Sequence, residues 1–207
     1  ASKTLLLFPS NPMLDAYEKI FISNTILNGF KVTIFITIVG TLLNLFFTSI
    51  AAYSLSIKDL PGRNFILYLI LITMLFSGGL IPLFMAIKVY GLLNNVWVYI
   101  IPMLINTFYL IILKTSFGMI PESLRHSALI DGCNEIGVLF RIFIPVSKPV
   151  LAAIALFYAV DRWNELYYAL FFVTDPDKFP LQMILYNMIR SVDIQGGYVM
   201  ELGPDGR

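Results

Sequence analysis

Three long stretches without a charged side chain constrain the fold of this chain more than any other feature of its sequence. They cover residues 32–57, 65–87 and 89–113. Each is longer than the ~20 residues that a helix needs to cross the hydrocarbon core of a bilayer. Charged residues make up only 13% of the chain, about half the share that is usual in soluble domains. We therefore predict an integral membrane protein whose membrane segments are helices.

Two further signals refine the membrane segments. In the third stretch Pro102 favours a helix start or a kink. Trp97 and Tyr99 are residue types enriched at the membrane interface, and we therefore predict that this span begins near residue 96. A fourth apolar stretch is interrupted near its middle by a polar cluster. The predicted fold is an all-α polytopic transmembrane helical bundle with spans at residues 32–57, 65–87, 96–113 and 149–173.

The segments outside the spans are assigned from the distribution of lysine and arginine. The loop after the first span carries Lys58 and Arg63, whereas the loop after the second carries only Lys88. The long loop at residues 114–148 carries four cations. Because cytoplasmic loops are enriched in lysine and arginine, we place the first and third loops in the cytoplasm. Residues 1–31 then form an extracellular N-terminal segment, residues 32–190 the transmembrane domain and residues 191–207 a C-terminal tail.

The loop at residues 114–148 has the signals of two short helices. Pro121 and Glu122 suit the first turn of a helix, and Gly132 suits its left-handed C-terminal cap. A second helix is predicted from Asn134 or Glu135, with an apolar face formed by Ile136, Leu139, Phe140 and Phe143. This helix–turn–helix is either an amphipathic connector on the membrane surface or a docking site for a partner.

The polar cluster of the fourth span is the second candidate site. Charged side chains at membrane depth are costly and usually face a bundle interior or a wet cavity. Trp163 could stack on a sugar ring, and Asp161, Asn164 and Glu165 could bond its hydroxyl groups. The alternative is a purely structural helix break in which Asp161 or Glu165 pairs with Arg162.

Composition and motifs exclude several other functions. A net charge of +1 gives no electrostatic basis for binding nucleic acid. The chain has one cysteine and one histidine, so we predict no internal disulfide, metal site or catalytic residue, and no cofactor. It lacks the G-x-x-x-x-G-K-[ST] loop that binds ATP phosphates. We therefore predict that it is not itself an enzyme.

Several motifs in a fixed order resemble one family. Gly132 is followed by nine residues and then by the sequence IFIP, ending at Pro145, which resembles the cytoplasmic E-A-A-x-x-x-G loop of ABC-importer permeases. The segments FSGGLIPLFMAIKVYGLLNN, RIFIPVSKPVLAAIALFYAV, RWNELYYAL and DPDKFPLQ are similar to permeases of carbohydrate importers, especially those for oligosaccharides and lipo-oligosaccharides. The resemblance extends over about residues 28–189.

The resemblance implies a type I ABC-importer permease in a bacterial plasma or inner membrane. It implies a cytosolic ATPase dimer, a second permease subunit in a heterodimer, an extracellular solute-binding protein and a sugar or oligosaccharide substrate. The loop would couple ATPase motion to alternating access, and the residues that match its pattern or flank it are Glu122, Arg125, His126, Ser127, Ala128, Asp131, Gly132, Ile142 and Pro145.

The sequence departs from the family in two respects. His126, Ser127 and Ala128 stand where the family has Glu-Ala-Ala, so the usual acidic contact with the ATPase is missing at this position. Such permeases have six spans, and the two that are not found here resemble the first and last. The alternative function is a secondary transporter in which Asp161 and Glu165 carry protons, but its inverted repeats with paired broken helices are not visible.

Overall fold

The structure is a computed structural model that describes residues 24–201, with side chains described as far as Ser191. Within this range the chain is helical and contains no strand, which confirms the predicted all-α fold class. The helices are α1 (Asn24–Ser56), α2 (Arg63–Leu75), α3 (Leu80–Val89), α4 (Thr107–Gly118), α5 (Glu122–Ile130), α6 (Glu135–Val146), α7 (Lys148–Trp163), α8 (Tyr167–Phe172) and α9 (Leu181–Glu201).

One described helix, α1, is long and apolar enough to cross a membrane by itself. Three bent pairs meet the same test when each pair is taken as one span. The bend is 116° between α2 and α3, 48° between the 3₁₀ turns at Val96–Met103 and α4, and 88° between α6 and α7. By length and composition the described residues therefore provide up to four spans.

The ends of the helical bundle differ from the predicted segments. Residues 24–31 of the predicted N-terminal segment belong to α1 and continue the first span as helix. The predicted tail at residues 191–207 is helical as far as Glu201, because α9 runs through it. Residues 1–23 and 202–207 lie outside the described range.

The second predicted span is broken at residues 76–79. Gly79 has φ +84°, and its backbone N–H lies 3.3 Å from Ser77 Oγ, so the chain leaves α2 in an extended turn before α3 begins. Only glycine adopts this backbone region without a steric cost. The sequence Gly78-Gly79 therefore separates two half-helices, where a single helix over residues 65–87 was predicted.

The third predicted span also begins differently. Pro102 lies in the 3₁₀ turn Ile101–Met103, and regular helix starts only at Thr107. The side chain of Asn106 caps α4 by accepting a hydrogen bond from the Phe108 N–H at 2.9 Å. This cap, together with the missing N–H of proline, explains why α4 does not extend back to residue 96.

Helix α1 forms the centre of the bundle and packs along α7 and α4. Buried side chains form two clusters, one around Leu113, Phe117 and Ile154 and one around Ile36, Tyr99 and Phe172. The Tyr158 hydroxyl joins three elements, since it lies 2.8 Å from Thr48 Oγ1 of α1 and accepts the Asn106 N–H at 3.0 Å. The clusters fix α7, which carries the polar cluster, against α1.

Large apolar side chains cover the outer surface. No residue of α2 is buried, and Phe65, Leu75 and Phe76 are each more than two thirds exposed. An exposed apolar area of this size is typical of a surface that faces lipid or another protein.

Candidate functional site

The first candidate site is the helical hairpin formed by α5, the turn at residues 131–134 and α6, here called the Gly132 hairpin. Pro121 is the residue before α5 and Glu122 is its first residue, where a carboxylate favours the positive end of the helix dipole. The Glu122 carboxylate also pairs with Lys58 Nζ at 3.2 Å, although both side chains are more than half exposed. The start of α5 is therefore tied only weakly to the loop after α1.

Gly132 forms the predicted left-handed cap of α5. Its φ is +83°, its N–H donates to Leu129 O at 3.1 Å, and the Cys133 N–H donates to Ala128 O at 2.9 Å. These two bonds make a Schellman motif, which satisfies carbonyl groups that a helix end would otherwise leave without partners. The turn is therefore a fixed corner, not a loose connection.

Helix α6 begins with a second local cap and contains a π-helical turn. The Asn134 side chain accepts the Gly137 N–H at 2.7 Å, which confirms the predicted start of this helix. Residues Leu139–Phe143 are π-helical. Pro145 has no N–H to donate within the helix, and its ring would clash with the carbonyl one turn earlier; the wider π turn relieves both problems.

The predicted apolar face of α6 is divided between two environments. Leu139 and Phe143 are buried in the core. Ile136 and Phe140 are 68% and 46% exposed, so the four residues of the predicted face do not share one environment. The π turn adds a residue to the helical period, and the four positions therefore do not share one face.

Glu135 joins the hairpin to α1. Its carboxylate accepts hydrogen bonds from Arg125 Nε at 3.2 Å, from Arg125 Nη2, and from the Tyr53 hydroxyl of α1. The Arg125 guanidinium lowers the pKa of Glu135 below its usual range, and the carboxylate raises the pKa of Arg125 in return. The family resemblance implies that Arg125 contacts the ATPase, but its side chain is only 17% exposed and hydrogen-bonds within the chain.

The outer face of the hairpin carries the other predicted coupling residues. His126, Ser127, Asp131 and Gly132 are exposed. Ile130 is 86% exposed, and sequence analysis did not select it. Its signal is an apolar residue at the C-terminal end of the helix, next to the polar turn that contains Asp131 and Gly132. The other matched positions lie elsewhere: Ala128 and Ile142 are half-buried against the core, and Pro145 is exposed at the end of α6.

The second candidate site is a groove of about 1080 Å³ between the α2–α3 break, the start of α4 and the end of α7, here called the Asp161 groove. It includes most of the polar cluster that sequence analysis selected. The polar side chains that line it include Ser77, Asn106, Tyr109, Asp161, Asn164 and Glu165. Phe76, Phe108 and Tyr168 add aromatic surface.

Asp161 and Asn164 present their polar groups at this groove. Asp161 Oδ2 accepts a hydrogen bond from the Tyr109 hydroxyl at 2.9 Å, and Asn164 Oδ1 accepts one from Gln182 at 3.2 Å. Both residues are exposed. Trp163, in contrast, is not among the groove-lining residues. Residues 161 and 164 are one helical turn apart on the same side of α7, whereas residue 163 points elsewhere.

Arg162 and Glu165 belong to the helix break itself. Arg162 is 3% exposed; its Nη1 donates to Tyr99 O, its Nη2 donates to Met103 O at 2.7 Å and also contacts the side-chain amide of Asn44. Glu165 Oε1 accepts the Tyr168 N–H at 3.0 Å, and its other oxygen lies 4.0 Å from Arg162 Nη1. The structure therefore places Arg162 and Glu165 in buried contacts at the helix break, whereas Asp161 and Asn164 are exposed at the groove.

The chain has relatives among known proteins. No family model matches the chain. It is 49% identical to Protein LplC of Bacillus subtilis (strain 168), covering 89% of this chain and 63% of that protein. It is 44% identical to the polygalacturonan/rhamnogalacturonan transport system permease protein YtcP of the same organism, covering 98% of this chain and 71% of that protein. The chain thus spans about two thirds of the length of these relatives.

A third relative and a solved structure agree with these two. The arabinooligosaccharides transport system permease protein AraQ of Halalkalibacterium halodurans is 31% identical over 90% of this chain and 68% of its own length. The crystal structure of a bacterial ABC transporter involved in the import of the acidic polysaccharide alginate matches with a TM-score of 0.87 at 30% identity, covering 96% of this chain and 72% of that one. The chain therefore belongs to the carbohydrate permeases of ABC transporters.

Proposed function

We propose that this chain is the membrane-spanning permease subunit of an ATP-driven, binding-protein-dependent importer of sugars or oligosaccharides. The observation that supports this most directly is the Gly132 hairpin, a capped and largely exposed pair of helices fixed to the core of an apolar bundle. A short helix held at a rigid corner transmits a force better than a flexible loop. The relatives are permeases of transport systems.

In the proposed arrangement the hairpin lies on the cytoplasmic side of a bacterial plasma or inner membrane and docks to a cytosolic ATPase dimer. ATP hydrolysis takes place in that partner. The docking face is formed by His126, Ser127, Ile130, Asp131 and Gly132, which are all exposed. The family's glutamate is absent at this face, and Ile130 offers an apolar contact that compensates in part.

The Asp161 groove is the proposed substrate path of this half of the transporter. Asp161, Asn164 and Tyr109 can bond sugar hydroxyl groups, and the aromatic side chains of the groove can cover the apolar faces of sugar rings. The open side of the groove would be closed by the second permease subunit, which forms a heterodimer with this chain. An extracellular solute-binding protein would deliver the substrate.

The experiment that tests this function is uptake in proteoliposomes containing the ATPase, both permease subunits and the binding protein. Labelled oligosaccharide should accumulate only with ATP and a catalytically competent ATPase. Uptake that followed a proton gradient without ATP would support the ion-coupled transporter instead and contradict the proposal.

The groove is tested in the same preparation by replacing its polar groups. We expect Asp161→Asn and Tyr109→Phe each to reduce the apparent affinity for sugar by about 5- to 30-fold, the usual effect of losing one hydrogen bond to a buried or charged group. The control is Tyr90→Phe, because Tyr90 is 77% exposed and is not a groove-lining residue. Unchanged affinity in both groove variants would remove the groove from the substrate path.

A further inference from the structure

The Glu135 carboxylate brings together three helices that are far apart in the sequence. Tyr53 lies in the last turns of α1, 82 residues before Glu135, and Arg125 lies in the middle of α5, 10 residues before it. Both nitrogens of one guanidinium edge bond the two carboxylate oxygens, and the Tyr53 hydroxyl bonds one of these oxygens as well. We call this group of three side chains the Glu135 clamp.

The clamp is the main polar attachment of α5 to the bundle, beside the fixed corner at Gly132 and the half-buried Ala128 and Leu129. No residue of α5 is buried. The ion pair at its start is exposed on both sides, and such pairs contribute little. A bidentate arginine–carboxylate pair differs from a point contact in fixing both distance and angle, so it resists rotation of the helix as well as displacement.

On the other side, the clamp is connected to the core of the bundle. Tyr53 is 5% exposed, and its ring packs edge-on against Phe143 with centroids 4.8 Å apart. Tyr53 belongs to the same helix as Gly40 and Asn44, which contact Arg162 near the Asp161 groove. The clamp therefore connects α5 to the helix at the centre of the bundle.

We propose that Glu135 is a positioning residue for transport: with Arg125 and Tyr53 it transmits the movement of the ATPase-docking helix α5 to the first span α1. This inference rests on the proposed function. It also assigns Arg125 a role different from contact with the ATPase, since its hydrogen bonds are directed inward.

The test compares sugar uptake with ATP hydrolysis in the reconstituted complex. Glu135→Gln keeps the shape of the side chain and removes the charge. We expect hydrolysis stimulated by the binding protein to stay within about 2-fold of wild type, while the ATP hydrolysed per sugar imported rises by about tenfold, as for loss of a typical coupling free energy. Tyr53→Phe should raise this ratio less, because the arginine pair remains.

The charge-exchange variant Arg125→Glu/Glu135→Arg is the decisive one. It restores an ion pair at the same place, so we expect the ATP hydrolysed per sugar imported to return toward the wild-type value. Arg125→Glu alone should raise this ratio. Arg190→Met is the control for a lost arginine, because Arg190 is exposed on α9.

The outcomes separate the two proposals. A wild-type complex without ATP-driven uptake would overturn the proposed function and the clamp's role with it. If wild type imports sugar, an unchanged ratio in Glu135→Gln would overturn the clamp alone. A proportional fall of uptake and hydrolysis in an assembled complex would do the same, since it indicates a docking or structural contact. If Glu135→Gln fails to assemble, the exchange variant decides by its own ratio.

Discussion

Replacing Arg162 with methionine tests the most deeply buried charge of the described residues. The guanidinium holds two backbone carbonyl groups of the 3₁₀ segment, those of Tyr99 and Met103, and contacts Asn44 on α1. Methionine occupies a similar space but donates no hydrogen bond. The variant therefore removes the attachment of the 3₁₀ segment to α7 without creating a large cavity.

The expected loss of stability follows from these acceptors. A buried acceptor without a partner costs about 1–3 kcal/mol, so the two carbonyl groups together cost about 2–6 kcal/mol. Two effects reduce this sum, because the cost of burying the guanidinium disappears and polar groups of separated helices in a bilayer find other partners. One effect raises it, because the buried Glu165 carboxylate loses the cation that lies 4.0 Å away. We expect Arg162→Met to lower the free energy of unfolding by about 2–4 kcal/mol.

The assay is reversible unfolding of the whole chain in mixed micelles of increasing SDS content, followed by circular dichroism. Arg162→Lys keeps the charge and loses the planar pair of donors, so it should lie between wild type and Arg162→Met. The control Arg190→Met changes an exposed side chain and should stay within about 0.5 kcal/mol of wild type. An Arg162→Met variant as stable as this control would refute the role given to Arg162.

Three further predictions concern other contacts. Gly132→Val should lower the free energy of unfolding by about 1–2 kcal/mol and impair coupling, because φ is +83° there. Gly132→Asn should be tolerated better, and measuring unfolding and uptake in the two variants checks this. Gly40→Val should destabilise by about 1–3 kcal/mol in the same micelle assay, because a Cβ at Gly40 already lies 3.2 Å from Arg162 Cδ. The pKa of Glu135 is lowered, so the stability it contributes is complete above the usual glutamate range and is lost as the pH falls through the lowered value. The difference in unfolding free energy between wild type and Glu135→Gln should therefore vanish on acidification, and a difference that grew would contradict this sign.

The features predicted correctly depend on residues close together in the sequence. The corner at Gly132 and the cap at Asn134 follow from backbone and side-chain chemistry within one helical turn, and the structure shows both. The length of the charge-free stretches likewise predicted an all-helical bundle. These interactions are local, so the sequence contains most of the information that specifies them.

The features that were missed depend on long-range contacts or on ambiguous signals. Nothing near Glu135 indicates that Tyr53 of another helix meets it. The Gly78-Gly79 pair is compatible with close helix packing and with a break, and only the fold distinguishes them. Trp163 was selected with its neighbours in the sequence, but one residue of helix turns a side chain by about 100°, and Trp163 does not line the groove that Asp161 lines.

The break between α2 and α3 determines what must surround this part of the backbone. At residues 76–79 the chain leaves helical geometry, and the first N–H groups of α3 have no partner one turn earlier. Lipid cannot supply hydrogen bonds to such groups, so irregular backbone at membrane depth persists only beside protein or water. Phe76, Ser77 and Gly78 line the Asp161 groove. The unwound turn therefore needs protein or water beside it, and water held in a polar groove would let the hydroxyl groups of a polyol keep their hydrogen bonds.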